Sequence, residues 1–385
     1  MSKNQQCPCC EGTATEALYP SYSGTCVTSD MEILEAASID NRLCKTCGLI
    51  FNATGTRGQT EDFYANSYKL MMRQGAAKIQ SFASGKRPVT QAERTFDILK
   101  ELVDVPVTGT VLEAGAGKGE FLGYFVEEFS EWQVKAFEPS MSFDVLQSSF
   151  PSAEVFRSGY QGVEIQGSAD LVVALGVLEH VDNPLDMMRW AARQLSDGGI
   201  FYVRVPNFAN NPNDLFCADH LSKLTVPTLS SLAQAAGFEV LGHKEAGVPV
   251  FIVLRKTGAD GPVPNAFEKN ATVARANVGV AEGAIEAVNR CRSTAQKNGE
   301  AFAIFGLGSS GLFAPFLSNF EADEIAAYLD ENQSVWGSVI HGRPVGGLDL
   351  VDELNIKHVA LAISPAYFEQ VRAKLLPLGV EVYSA

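Results

Sequence analysis

The sequence lacks any uninterrupted apolar run long enough to cross a bilayer, and its start, Met1-Ser2-Lys3-Asn4-Gln5-Gln6, lacks a signal-peptide core. Both absences make the cytoplasm the expected location, with no membrane partner. Positive charge is also short: 30 Lys and Arg stand against 45 Asp and Glu, a formal net charge of −15. That balance supplies no basic face for phosphates, so nucleic acid is not expected as a partner either. A local pocket can still hold a small anion, which leaves nucleotide-bearing small-molecule substrates open. Of the eight cysteines, six fall within the first 47 residues. In a cytoplasmic chain that crowding points to metal and away from disulfides. A chain of 385 residues is long enough for two or three domains, each with its own core.

Cys7 with Cys10, and Cys44 with Cys47, form two C-x-x-C knuckles separated by 33 residues. Two such turns close a tetrahedral thiolate site, and a segment this short needs a staple of that kind. No position is left for water, so the expected ion is a structural zinc. A redox C-x-x-C would not need the second knuckle. Cys9 and Cys26 are surplus and read as ordinary thiols, although either can replace a ligand.

The chain is organised around Val111-Leu112-Glu113-Ala114-Gly115-Ala116-Gly117-Lys118-Gly119, followed by a helical pattern from Glu120. A buried strand stops at an acid. The glycines then make a turn without side-chain bulk, before a helix whose free N–H groups face a ligand. A second short strand over 134–137 ends in Glu138, placed to accept hydrogen bonds from both ribose hydroxyls of an adenosine cofactor. With Glu113 in front, the G-x-G-x-G spacing resembles motif I of class I S-adenosylmethionine methyltransferases. That resemblance implies S-adenosylmethionine, held by Glu113, Gly115, Gly117 and Glu138, with Leu175 and Gly176 beside it at the end of the fourth strand.

Apolar spacing predicts a helix over 91–102 ahead of this strand, preceded by a tyrosine-rich connector. Its Tyr64 and Tyr68 are candidates to cover the ligands, with packing between domains as their other use. Further on, an apolar strand over 169–175 leads to Gly176 and His180, then to an amphipathic helix over 184–195. Asp197-Gly198-Gly199 turns into a strand over 200–206. His180 lies just past a strand's carboxyl end, where open α/β sheets hold ligands; starting the next helix is its other reading. Residues 207–225 form an insertion at that same edge, where substrate chemistry is usually built. Within it, adjacent Asp219 and His220 can each act as, or support, a proton acceptor.

After a linker over 256–264 and a long helix over 267–296, a second α/β unit carries Gly306-Leu307-Gly308-Ser309-Ser310-Gly311 after a strand, with Asp330 at the dinucleotide-like position. The unit has roughly a hundred residues and is expected to lack a full six-strand sheet. A phosphate-anchoring or architectural role is therefore favoured over NAD for Gly306, Gly308 and Gly311.

Taken in order, a cysteine-knuckle domain (1–70), a glycine-motif domain (71–258) and a small glycine-turn domain (265–385), the chain resembles the three-domain C-methyltransferases of deoxysugar biosynthesis over nearly its whole length. The resemblance implies an α/β protein with a zinc-binding N-terminal domain, a class I Rossmann-like methyltransferase domain and a C-terminal Rossmann-like domain that handles a nucleotide sugar. In that family a nucleotide-diphospho-4-keto sugar loses the proton beside its ketone, and the carbanion takes the methyl of S-adenosylmethionine. The family pattern Tyr-x-Glu-His, then a leucine and a Ser or Thr, meets Cys217-Ala218-Asp219-His220-Leu221 with Thr225 beyond. It implies His220 as base, Asp219 as a shortened glutamate, and His180 as the family histidine after strand four. Cys217 replaces the tyrosine, and Ser310-Gly311-Leu312 stands where the family has a lysine. The alternative is O- or N-methylation of a sugar or other small metabolite on the same scaffold.

Overall fold

The computed structural model describes residues 6–29, 33–66, 78–79, 88–162, 164–258 and 260–385. Tyr68, a substrate-side candidate, lies outside the described residues. No helix among them is long and apolar enough to cross a membrane.

Two long strands, β1 (Thr15–Val27) and β2 (Ile33–Cys44), pair antiparallel, and β3 (Ile50–Asn52) joins β2. Strand β2 runs into the second cysteine knuckle and β3 leaves it. Leu18, Ile39, Leu43 and Ile50 turn to one core shared with the chain's C-terminal third. A short helix, α1 (Thr60–Asn66), and a small hairpin, β4 (Lys78–Ile79) with β5 (Val89–Thr90), follow. Thr90 then caps α2 (Gln91–Leu102), its hydroxyl accepting from the Glu93 N–H at 3.0 Å.

The central unit runs β6 (Thr110–Ala114), α3 (Glu120–Glu128), β7 (Gln133–Phe137), α4 (Phe143–Ser149), β8 (Glu154–Phe156), β9 (Ala169–Leu175), α5 (Pro184–Gln194) and β10 (Leu195–Pro206). After the insertion, which contains β11 (Ser222–Lys223), come α6 (Val226–Ala235), β12 (Phe238–Glu245) and β13 (Pro249–Lys256). The sheet order is β12-β13-β10-β9-β6-β7-β8, parallel from β8 to β10, with β13 antiparallel to both neighbours. Helices cover both faces, which is why β6 and β9 read as unbroken apolar runs and do not alternate. The strand order reverses between β6 and β9, and that opens a crevice at their carboxyl ends. The Asp197-Gly198-Gly199 turn lies inside β10, where the pairing with β9 shifts register between Leu195 and Ile200.

A 32-residue helix, α7 (Phe267–Asn298), ends on Gly299 in the left-handed region. It leads into β14 (Ala301–Phe305), α8 (Ser309–Leu317), β15 (Ala327–Leu329), β16 (Val339–Ile340), β17 (Arg343–Gly346), α9 (Asp349–Glu353), β18 (Ile356–Leu361), α10 (Phe368–Leu375) and β19 (Glu381–Tyr383). These strands form one sheet ordered β16-β17-β15-β14-β18-β19. The expectation of an incomplete sheet is thus corrected: six strands pair. Two of them, separated by a His341-Gly342 turn, are two and four residues long and too short to show a period.

The insertion is not a free loop. Its β11 pairs with β3, Ser222 opposite Phe51 and Lys223 opposite Ile50, so it closes the N-terminal sheet.

Candidate active site

A cavity of 1040 Å³ opens at the carboxyl ends of β6, β7, β9 and β10. One half of its wall is the glycine turn. Gly115 has φ 68° and lies so close to Val177 that a Cβ would meet that side chain at 2.7 Å, so no other residue fits there without movement. Glu138, at the tip of β7, accepts from the Gly117 N–H at 2.6 Å and the Ser140 N–H at 2.8 Å. The same carboxylate therefore holds the turn and faces the cavity. Glu113 is buried at the end of β6, and its Oε2 has no hydrogen-bond partner among the described residues. Burial, reinforced by the nearby Glu138, pushes its carboxyl well above the ordinary range, while Arg204 opposes the shift. Leu175 and Gly176 line the same half, as expected of the end of the fourth strand.

The other half brings both expected histidines together. His180 and His220 have ring centroids 4.7 Å apart, nearly edge to face. His180 Nδ1 lies 2.5 Å from the Tyr64 hydroxyl and 3.0 Å from the Asp219 carbonyl. Both contacts fall on the same ring nitrogen and fix the orientation of the ring.

The partner expected for His220 is corrected. Asp219 turns away from the ring and accepts from Ser29 N–H at 2.7 Å, Ser29 Oγ at 2.6 Å, Cys217 Sγ at 3.1 Å and Tyr64 Oη at 3.2 Å. Burial works against its charge, but His180, His220 and these donors hold its carboxyl down at about 2. Asp214, on a 3₁₀ turn over Pro212–Phe216, binds His220 Nδ1 instead. Neighbouring residues in extended chain point oppositely, whereas Asp214 doubles back to reach the ring. Lys223, wholly buried, donates to the Cys217 carbonyl at 3.1 Å and the His220 carbonyl at 2.7 Å and so fixes the loop from below. Asp214, Lys223, Ser29 and Arg204 carried no sequence signal.

Cys7, Cys10, Cys44 and Cys47 converge, with all four sulfurs within 4.8 Å of one another. The pairs Cys7–Cys47 and Cys10–Cys44 are 3.6 and 3.5 Å apart. Four thiolates around a tetrahedral zinc stand about 3.8 Å apart, so the donor set fits that ion. Cys9 points instead to Asn183 Oδ1 at 3.6 Å, and Cys26 is buried elsewhere.

The second glycine turn is not brought to the cavity, whose described lining includes none of Gly306, Gly308 and Gly311. A Cβ on Gly306 would meet Ile363 at 2.5 Å, and one on Gly311 would run into the Gly306 carbonyl. Asp330 accepts from Leu307 N–H at 3.0 Å and Asn332 N–H at 2.8 Å. Close packing accounts for Gly306 and Gly311, whereas a Cβ on Gly308 would have room.

Residues 88–243 match the family model described as a methyltransferase domain. The chain carries a methyltransferase domain. Solved structures similar to this chain include the 1,6-didemethyltoxoflavin-N1-methyltransferase of Burkholderia thailandensis, bound to 1,6-didemethyltoxoflavin and S-adenosylhomocysteine. It is 20% identical, over 43% of this chain and 78% of that one, with a TM-score of 0.36. S-adenosylmethionine-dependent methyltransferases of Aquifex aeolicus and Mesorhizobium loti are each 15% identical. They cover 43% and 42% of this chain, and 89% and 96% of their own, with TM-scores of 0.36 and 0.37. No curated protein matches the chain.

Proposed function

We propose that this methyltransferase acts on the carbon beside the ketone of a nucleotide-linked 4-keto deoxysugar, in the three-part arrangement 1–70, 71–258 and 265–385. The observation that carries the reading is the Asp214–His220 pair, set against His180 and Tyr64 on the cavity wall. A proton α to a ketone is weakly acidic and needs a strong, positioned base. Asp214 holds Nδ1 and makes the imidazole more basic, which leaves Nε2 to take that proton. Tyr64 and His180 stand beside the base and are both tied to Asp219, which fixes the wall against which the base works. S-adenosylmethionine, when bound, supplies an electrophilic methyl group. Glu138 would hold its ribose, with Gly115 and Gly117 admitting it to the backbone. The test is solvent deuterium exchange into a 4-keto sugar nucleotide without methyl donor, followed by NMR location of a labelled methyl. A label on oxygen or nitrogen would replace this reading with heteroatom transfer.

Two further results are expected. Glu138→Ala should weaken S-adenosylmethionine binding by about 1–3 kcal/mol, the scale of charge-assisted hydrogen bonds. An unchanged dissociation constant in a folded variant would remove Glu138 from the donor site. The four cysteines are proposed to hold one structural zinc, as the sulfur separations support. Metal analysis of protein purified without added zinc should then find one equivalent per chain, and a chain free of metal would contradict it.

A further inference from the structure

Glu179 sits in the turn after β9, between the donor half of the cavity and His180. It is 3% exposed, and its own carbonyl accepts from the Ser222 N–H at 3.0 Å, which ties this turn to the insertion. One oxygen of its side chain is left over. Oε2 has no hydrogen-bond partner among the described residues, and Oε1 is 3.9 Å from His180 Nε2, beyond hydrogen-bond reach. Of the carboxylates nearby, Asp219 is supplied by Ser29, Cys217 and Tyr64, and Asp214 by His220 at one oxygen; its Oδ2 and Glu113 Oε2 also have no partner among the described residues, but Asp214 does not line the cavity and Glu113 lies on the glycine-turn side.

A buried carboxylate oxygen without a hydrogen-bond donor is costly, and Glu179 lines the cavity, so a donor for Oε2 can come from a ligand. Positive charge is already at hand. Both Arg204 Nη2 and Glu179 Oε1 flank Gly176, lying 3.5 and 3.7 Å from where its Cβ would be. What the carboxylate still needs is a neutral donor, and on the histidine side of the cavity that donor belongs to the acceptor.

We infer that Glu179 accepts a hydrogen bond from a ring hydroxyl of the acceptor, and so selects acceptors that carry it. This rests on the keto-sugar reading and narrows it. A site built to satisfy a buried polar group discriminates strongly against the analogue that lacks the partner, because the group is then stranded.

The test is equilibrium binding to the full chain, saturated with S-adenosylhomocysteine, of thymidine diphosphate 4-keto-6-deoxyglucose and of its counterparts lacking the 2- or the 3-hydroxyl. For the unmodified enzyme, one counterpart should bind about 10- to 100-fold more weakly than the parent sugar. In Glu179→Gln that gap should shrink to within about threefold, with S-adenosylhomocysteine affinity unchanged. Glu179→Asp, which keeps the charge but retracts it, should give an intermediate gap and serves if the glutamine variant does not fold. Equal binding of all three probes to the unmodified enzyme, or a gap that survives Glu179→Gln, overturns the assignment alone. Failure of all three to bind overturns the keto-sugar reading and takes the assignment with it.

Discussion

Replacing His220 with alanine is expected to cut methyl transfer by about 10²–10⁴-fold, the usual contribution of a positioned base, with S-adenosylhomocysteine binding nearly unchanged. The separation is expected because His220 is held by Asp214 and Lys223 within the insertion, while Glu113 belongs to β6, Gly115 and Gly117 to the turn from β6 into α3, and Glu138 to the tip of β7. A pH dependence follows from the same pair. Burial works against charge on the imidazole, but Cys217 and Asp214 outweigh it, and His220 is held well above the ordinary histidine value. The Cys217 thiol is itself pushed up to about 12 by burial and stays neutral, so Asp214 carries the effect. The base form of His220 therefore fills only as pH rises through that raised value, and the rate should climb on the alkaline side of the ordinary histidine range. Stability runs the other way. The charged pair stabilises the fold at pH below the unfolded histidine value, and that contribution is lost as pH rises through the folded one. Rates of deuterium exchange across pH, for the unmodified enzyme and for His220→Ala, His180→Ala and Asp214→Asn, check this. Exchange lost in His180→Ala but kept in His220→Ala would move the base to His180. Full activity in both would leave no histidine base.

The two halves of the cavity were unequally legible. The glycine-turn half is local: strand, acid, glycine turn and helix are consecutive in sequence, and each residue's place follows from its immediate neighbours. Glu138 was readable for the same reason, since an acid at the tip of the next parallel strand must lie beside the turn. The histidines were readable only as positions at the carboxyl edge. Their surroundings depend on pairing between distant segments. Ser29 reaches Asp219 because β1 ends beside the insertion, where Ala218 N–H bonds the Val27 carbonyl at 3.0 Å. Lys223 sits in Ser222-Lys223-Leu224-Thr225, a context typical of surface chain, and becomes buried only because β11 adds to β3. Asp214 lies six residues before His220 on a 3₁₀ turn, a spacing that no helix or strand period singles out. Asp219 was the natural choice by adjacency, and adjacency is what turns it the other way.

Those long-range pairings give the cysteine site an effect on chemistry far from it. In Cys44→Ser with Cys47→Ser, methyl transfer should fall by about 10²-fold or more while donor affinity stays within about threefold, alongside loss of the metal. The argument begins at the second knuckle, which β2 enters and β3 leaves. Asn52 on β3 donates its N–H to the Leu221 carbonyl at 3.0 Å and its Nδ2 to the Ala218 carbonyl at 3.2 Å. Asn41 on β2 donates to the Leu215 carbonyl at 2.8 Å. The loop that carries Asp214, Asp219 and His220 is thus hydrogen-bonded along its length to strands framed by the four cysteines. Structural zinc sites contribute about 10–16 kcal/mol to folding in small peptides, as much as the whole stability of an ordinary domain. Without the metal, the small sheet should loosen and release the loop. One face of β6 and β7 shares a core with the cysteines through Leu112, Ala114 and Phe137, but the other rests on a core without them, in which Val111, Phe121, Phe125 and Ala136 pack together, and on that face the donor half should survive. Three measurements on the double variant check this: metal content, calorimetric binding of S-adenosylhomocysteine, and amide hydrogen exchange over residues 214–223. Protection of that loop should drop toward open-chain values. A metal-free variant that keeps both its protection and its methyl-transfer rate would show that Lys223 and Asp214 hold the loop unaided, and that the cysteine site stabilises only its own sheet.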